Sequence, residues 1–276
     1  MNADAKTGSA VYSIRFTSWE ESVPPLLNAS GLQSALEESR RPILIKPNLV
    51  EALAPPITTP VELVRALILH LRTMTDLPIL IGEGSGAMEY ETCHAFETLG
   101  YTAMARELRV DLVDLNHEEC LRLRKDDCSR WPEMHLPRIA LESFLLSVPV
   151  LKAHSLADVT LTMKNMMGLA PPAHYRRGGS WKKSAFHTRV QEAIADLNRY
   201  RAPDFTLLDA TVGMAEAHLW GPTCDPPVNI LAASLDPVAI DAYGCSLLGR
   251  DWRRIGHIAS VDHELGQASG FTVTEI

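Results

Sequence analysis

The chain has 276 residues, 46% of them hydrophobic, with 26 basic against 34 acidic side chains and a net charge of −8. That length suits one continuous domain over residues 1–276 with a core of ordinary size, and the acidic balance argues against a general nucleic-acid or anionic-membrane binder. Five scattered cysteines without a C-x-x-C pair spell out neither a disulfide framework nor a zinc or iron–sulfur loop, so a reducing compartment fits.

The N-terminus, MNADAKTGSAVYSIRF, lacks the basic and apolar regions of a signal peptide. The most apolar stretch, LVRALILHL, is interrupted by Arg65 and His70. A soluble, cytoplasmic protein with no membrane partner is expected. Residues 11–16 alternate as a short strand, and the continuous run ILIK at 43–46 reads as a buried one. Thr59-Pro60-Val61-Glu62 has the form of a capping box, and Val61, Val64, Ile68 and Leu71 then recur at helical spacing. A strand over 77–82 follows, then a glycine-flanked turn at Gly84 and Gly86 that opens a helix closed near Gly100. Amides at such a helix start can hold an anion.

Farther on, the pattern predicts a helix to about Leu108, a strand near 110–115, a strand LLSVPVLK and a helical segment near 158–168. After these come a helix over about 186–200, the strands FTLLDA and VNILAAS, a helix begun by Asp236-Pro237, and a last helix over roughly 252–266. This alternation predicts an α/β fold with a mainly parallel open sheet and helices on both faces. Gly84-x-Gly86 is too short for a dinucleotide fingerprint, and no Walker lysine motif is present.

Four strand-like runs end on a charge, at Lys46, Glu83, Lys152 and Asp209. Ligands of open α/β sheets sit outside the carboxyl ends of the strands, so these four residues are expected to converge on one crevice. In LKAHSLADVTLTMKNMMGLAPP, Lys164 and Asn165 lie among apolar residues, where an unpaired lysine is costly. His154 accompanies Lys152 at its strand end. From Val159 to Gln191 no acidic residue occurs while six cations do, and HYRRGGSWKK carries Arg176 and Arg177 beside a glycine pair. That segment reads either as a basic lid over a phosphate or carboxylate, or as a solvated loop or oligomer contact.

His187 is placed at the opening of the 186–200 helix with its ring inward, as a general base, a metal ligand or a core histidine. Asp236 reads as a helix N-cap. Asp241 falls on an apolar stripe, where a salt bridge to a strand-end lysine would account for it. Lys152 and Lys164 are also candidates for Schiff-base nucleophiles, a reading that needs a hydrophobic pocket no sequence pattern shows.

On these residues the chain resembles the family of domains of unknown function numbered 362. The shared motifs are KPNLV at 46–50, TPVELVRALI, GEGSG at 82–86, LKAHSLADVTLTMKNMMGL at 151–169, LLDATVGM at 207–214 and SLDPVAIDAYGCSLLG at 234–249. The resemblance points to Lys46, Asn48, Glu83, Ser85, Lys152, His154, Lys164, Asn165, His187, Asp209, Asp236 and Asp241. The resemblance implies that many relatives carry a ferredoxin-type cysteine cluster beside this domain, with redox or metal-linked chemistry for those members. This chain has no such cluster, and it departs from the pattern again at Ala215–Pro222, where AEAHLWGP replaces a glycine-richer turn.

The function expected is an enzyme acting on an anionic small metabolite. Lys46, Lys152 and Lys164 would hold its charge, and Glu83 or His187 would move a proton. Two alternatives stand beside it. One is a metalloenzyme with a divalent ion on Glu83, His154, His187 and Asp209, and the other is a non-catalytic ligand-, metal- or cluster-handling protein. The cofactor and a homodimeric state are left open.

Overall fold

Strands buried on both faces feed alternate side chains to two cores, and the two central runs of this chain do so. Ile43 and Ile45 enter one core and Leu44 the other; Phe144, Leu146 and Val148 enter the first and Leu145 the second. The computed structural model describes residues 9–276, and residues 1–8, on which part of the leader reading rests, lie outside the described residues.

The strands are β1 (Ala10–Arg15), β2 (Ile43–Pro47), β3 (Ile79–Glu83), β4 (Asp111–Asp114), β5 (Cys120–Arg124), β6 (Glu133–Pro137), β7 (Phe144–Val148), β8 (Val150–His154), β9 (Asp158–Thr160), β10 (Phe205–Met214), β11 (Ile230–Ser234) and β12 (Thr272–Glu275). Ten of them form one sheet in the order β12-β1-β11-β10-β7-β2-β3-β4, with β8 paired to β10 and β9. β10, β7, β2, β3 and β4 run parallel, whereas β11 is antiparallel to both β1 and β10. Helices cover both faces: Val61–Met74 packs on one, Val190–Tyr200 and Pro237–Leu247 on the other. The expected α/β architecture is the one observed.

The chain winds from β2 outward through β3 to β4, then returns to lay β7 against the other edge of β2. That reversal makes the carboxyl ends of β2 and β7 a topological switch point, where crevices open in such sheets. Pro149 divides the predicted strand LLSVPVLK into β7 and β8, because it offers no N–H to continue the ladder. β7 stays between β2 and β10, while β8 leaves β2 and pairs with β9.

Other sequence readings are corrected. Thr59 does not cap the helix that follows; Pro60 stands at the cap, and the Thr59 hydroxyl instead accepts from the Asn48 amide (2.8 Å) and donates to the Val148 carbonyl (2.7 Å). A hydroxyl between two strand ends satisfies backbone groups that no ladder reaches. The turn after Glu83 is longer than expected, with its helix starting only at Thr92. The segment 158–168 is β9, one helical turn (Thr162–Asn165) and a 3-10 turn, not a helix. The last predicted helix shrinks to a 3-10 turn and the single turn Gly256–Ala259. The hairpin β5–β6 and edge strand β12 were not expected. No helix among the described residues is long and apolar enough to cross a membrane.

Ile45 is fully buried in the central strand. Ile45→Ala should lower the unfolding free energy by about 2–5 kcal/mol through lost burial and the cavity left behind. The expected readout is a lower denaturant midpoint at unchanged slope.

Candidate functional site

Three strand ends and one helical turn build the site. β2 delivers Lys46 and, one residue past its end, Asn48; β3 ends in Glu83; β8 carries Lys152 and His154. The turn Thr162–Asn165 supplies Lys164 and Asn165. Asp241 fixes that turn by accepting from the amides of Thr162 (2.8 Å) and Met163 (3.0 Å), two donors that a helix start leaves without partners. The expected salt bridge from Asp241 to a lysine is absent among the described residues, because these amides occupy both its oxygens. Burial pushes the Asp241 carboxyl up to about 7.

At the floor, Lys46 Nζ lies 2.9 Å from Glu83 Oε1, with both side chains almost wholly out of water. The ammonium also donates to Asn165 Oδ1 (2.9 Å) and the Pro47 carbonyl (3.1 Å), so each of its three protons has an acceptor. Glu83 accepts from the amides of Gly84 and Leu49, both at 2.8 Å. Asn165 Nδ2 reaches back to the Lys46 carbonyl and Ser147 Oγ. Asn48 joins the set through Asn165 Oδ1 (3.1 Å) and receives Lys152 Nζ at 3.0 Å, which also donates to the Ile57 carbonyl at 2.5 Å. Gly168 is required where it packs on the ion pair, since a Cβ there would collide with Glu83 Oε1 and the end of Lys46.

Above this floor opens a cavity of about 150 Å3, lined by Lys46, Glu83, Lys152, Lys164, Lys183 and three histidines, His154, His187 and His218, among others. Burial lowers the Lys46 amine against the opposing pull of Glu83. Burial, aided by the Lys164 charge, brings Lys152 down to about 7; burial, then Lys46, brings Lys164 to about 8. The histidines are held towards their neutral form by burial and by the nearby Lys164 charge: His187 is lowered, His218 falls to about 4, and His154 falls far below its usual range. His154 Nδ1 accepts from the amides of Leu156 (3.0 Å) and Ala157 (3.2 Å), which places its proton on Nε2. Its ring stacks on His218, with centroids 3.9 Å apart.

Of the residues read from sequence, Lys46, Asn48, Glu83, Lys152, His154, Lys164, Asn165 and His187 line the cavity together. Asp209 does not join them. Its strand continues five residues beyond it to Met214, and its Oδ1 is taken up by the amide and hydroxyl of Thr211. Ser85 is buried beside the site, with its hydroxyl on the Val50 carbonyl. His187 lies on a 3-10 turn before the helix, which begins at Val190, so its ring sits exposed at the cavity edge instead of inward.

Arg176 and Arg177 are exposed and outside the cavity wall. The same basic run is pinned farther along: the Lys182 amide bonds the Gly86 carbonyl, and Lys182 Nζ bonds the Tyr90 carbonyl and Glu91. Glu83, His154, His187 and Asp209 do not gather as metal ligands. Among the described residues the set with ligand spacing is the largely exposed trio Glu91, Asp114 and His117.

Sequence reasoning missed Lys183, whose amine bonds Asn116 Oδ1 (2.7 Å) and the carbonyls of Ala170 (2.6 Å) and Gly168 (3.2 Å). Burial lowers it to about 7. A signal existed, since Lys183 is followed closely by the apolar pair Ala185-Phe186, whereas Arg176 and Arg177 border glycines. His218 gave no local signal, being one polar residue in an irregular loop.

Glu83→Gln would leave the Lys46 ammonium buried without a counter-charge, a break that costs about 3–5 kcal/mol at neutral pH. The deficit should shrink as pH rises towards the ordinary lysine value of 10.5. The buried amine then sheds its proton before the unfolded one does, so the unfolded state binds more protons and stability climbs. Denaturant melts of both proteins at two pH values check the sign.

A lactate racemase apoprotein structure from Thermoanaerobacterium thermosaccharolyticum has a similar fold, with 14% identity and a TM-score of 0.50 over 87% of this chain and 56% of that one. A crystal structure of a protein from Thermotoga maritima matches with 12% identity and a TM-score of 0.41, over 79% of this chain and 57% of the other. The chain thus spans a little over half the length of these proteins. No curated protein matches the sequence. Residues 43–246 match the family described as Domain of unknown function (DUF362), and with most of its length inside that match, the cavity residues included, the chain belongs to this family.

Proposed function

We propose that the protein is an enzyme that binds a small carboxylate- or phosphate-bearing metabolite in the cavity and moves a proton on it. The observation that carries this reading is the charge of the lining: four lysines, 46, 152, 164 and 183, face one carboxylate, Glu83, in a chain whose net charge is −8. Poorly solvated cations gathered around a space attract an anion far more strongly than the same cations in water. The volume of about 150 Å3 suits a molecule of few heavy atoms. A protein of similar fold is named for lactate, a small carboxylate, which is the ligand class read here from the cations.

In this reading the positive lining holds the anionic group, with Lys152 and Lys183 anchored and Lys164 beside them, and a neutral imidazole takes or returns the proton. His187 and His218 suit the acceptor role, because burial first and the nearby cations second hold them towards the unprotonated form. His154 presents an Nε2–H and suits the donor role. Glu83 is the weaker choice for proton transfer, since donors already occupy both its oxygens.

A thermal-shift panel of small carboxylates, phosphates and their uncharged amides tests the reading. An anion should raise the melting temperature of the wild type and do so much less for Lys164→Met. Affinity should fall as pH rises past about 8, because the lysines near 7 and 8 lose the charge that the anion needs. Equal stabilisation by the neutral amides, or affinity that climbs with pH, would sink it.

A further inference from the structure

Lys46, Lys152 and Lys183 are tied to protein acceptors at 2.5–3.2 Å. Lys164 is not. Its amine has no hydrogen-bond or ion-pair partner among the described residues, although it is half-buried in the cavity wall. The backbone just before it is held by two elements: Asp241 grips the turn through the amides of residues 162 and 163, and Asn198 Nδ2 grips the Met163 carbonyl at 2.8 Å. A fixed stem with a free amine is the arrangement expected of a reacting group, because positioning is already supplied and no partner must be broken to release it.

We infer that Lys164 is a nucleophile that forms an imine with the carbonyl carbon of a small oxo acid bound in this cavity. The inference rests on the anion-binding reading above and adds the reacting functional group to it. Val50, Leu156, Met167 and Trp181 give the cavity the partly apolar lining that such chemistry needs. Lys152 and Lys183, tied to their acceptors, face the acid group, while Lys164 presents the amine without a partner; burial lowers all three towards the uncharged form, so what sets Lys164 apart is its freedom from acceptors.

The step balances without an oxidant or reductant. The nitrogen lone pair attacks the carbonyl carbon, a C–N bond forms, and the C=O π pair moves onto oxygen. The nitrogen gives up one proton and the oxygen gains one, through a neighbouring imidazole. A second proton, given to that hydroxyl by an imidazole, lets it leave as water while the nitrogen lone pair forms the C=N bond. The nitrogen then returns its remaining proton to the imidazole, leaving the neutral imine. His154, with its proton fixed on Nε2, is placed to donate towards that oxygen.

Incubating the full chain with glyoxylate, adding sodium cyanoborohydride and mapping the modified peptides by mass tests this. One reduced adduct per chain is expected, on Lys164, forming at least about tenfold faster than on any exposed lysine, whose amine stays almost fully protonated at neutral pH. The adduct should vanish in Lys164→Arg and be suppressed in the wild type by excess glycolate, which has the same acid group and no aldehyde carbonyl. Label spread over surface lysines with Lys164 unmodified overturns the inference, and the wild-type peptide map decides this even if the variant fails to fold. Glycolate that raises the melting temperature without any adduct at Lys164 removes the imine and leaves the anion reading standing. If glycolate neither binds nor protects and no adduct forms, both are removed.

Discussion

The ion pair between Lys46 and Glu83, sealed from water beneath the cavity, is the constraint on which the rest of the site is built. Two charges taken out of solvent are tolerated only when every remaining donor and acceptor also finds a partner. Asn165, Asn48 and the amides of Leu49 and Gly84 exist in the structure as that completion. Because they come from β2, β3 and the turn after β9, satisfying one pair fixes the relative positions of three distant stretches of chain. Gly168 follows from the same demand, since any side chain there would intrude on the pair.

A second consequence is electrical. The floor combines one carboxylate with several lysines, so the cavity above it retains an excess of positive charge at low dielectric. Histidines in that field stay neutral and lysines there approach their neutral forms near physiological pH. The same burial that strains each cation makes it responsive to a bound anion. Lys164 differs from the others in being half-buried and in lacking an acceptor among the described residues, the difference on which the proposed imine chemistry is built.

Topology explains why the site lies where it does. β2 is flanked by β3 on one side and β7 on the other, with the chain reversing direction across the sheet between them. The chain paths beyond the paired carboxyl ends of β2 and β7 therefore diverge, and past Pro149 the chain continues as β8, which pairs with β9 and β10 and not with β2. Lys152 enters the crevice from β8, beyond that proline.

Much of this was legible in the string of residues. Continuous apolar runs ending on Lys46 and Glu83 announced buried parallel strands with charges at their carboxyl ends, because strand period and side-chain polarity are local properties. The oddity of Lys164 and Asn165 among apolar neighbours likewise marked a site, since burial without a partner is costly wherever it occurs. What no local pattern could state was which partners would meet. Asp209 shares the strand-end signature of Glu83, yet its strand runs on to Met214. Asp241 was read as the partner of a lysine and holds two amides. Lys183 and His218 reach the cavity from loops whose paths are set by packing against the turn at residues 84–86 and the ring of His154. The sequence alone determined the layers, the central strands and the residues too costly to bury idly, because those follow from hydrophobic period and charge. Only the tertiary structure decided which charges neutralise one another and which lysine is left free, because pairing depends on distances in space that separation along the chain does not encode.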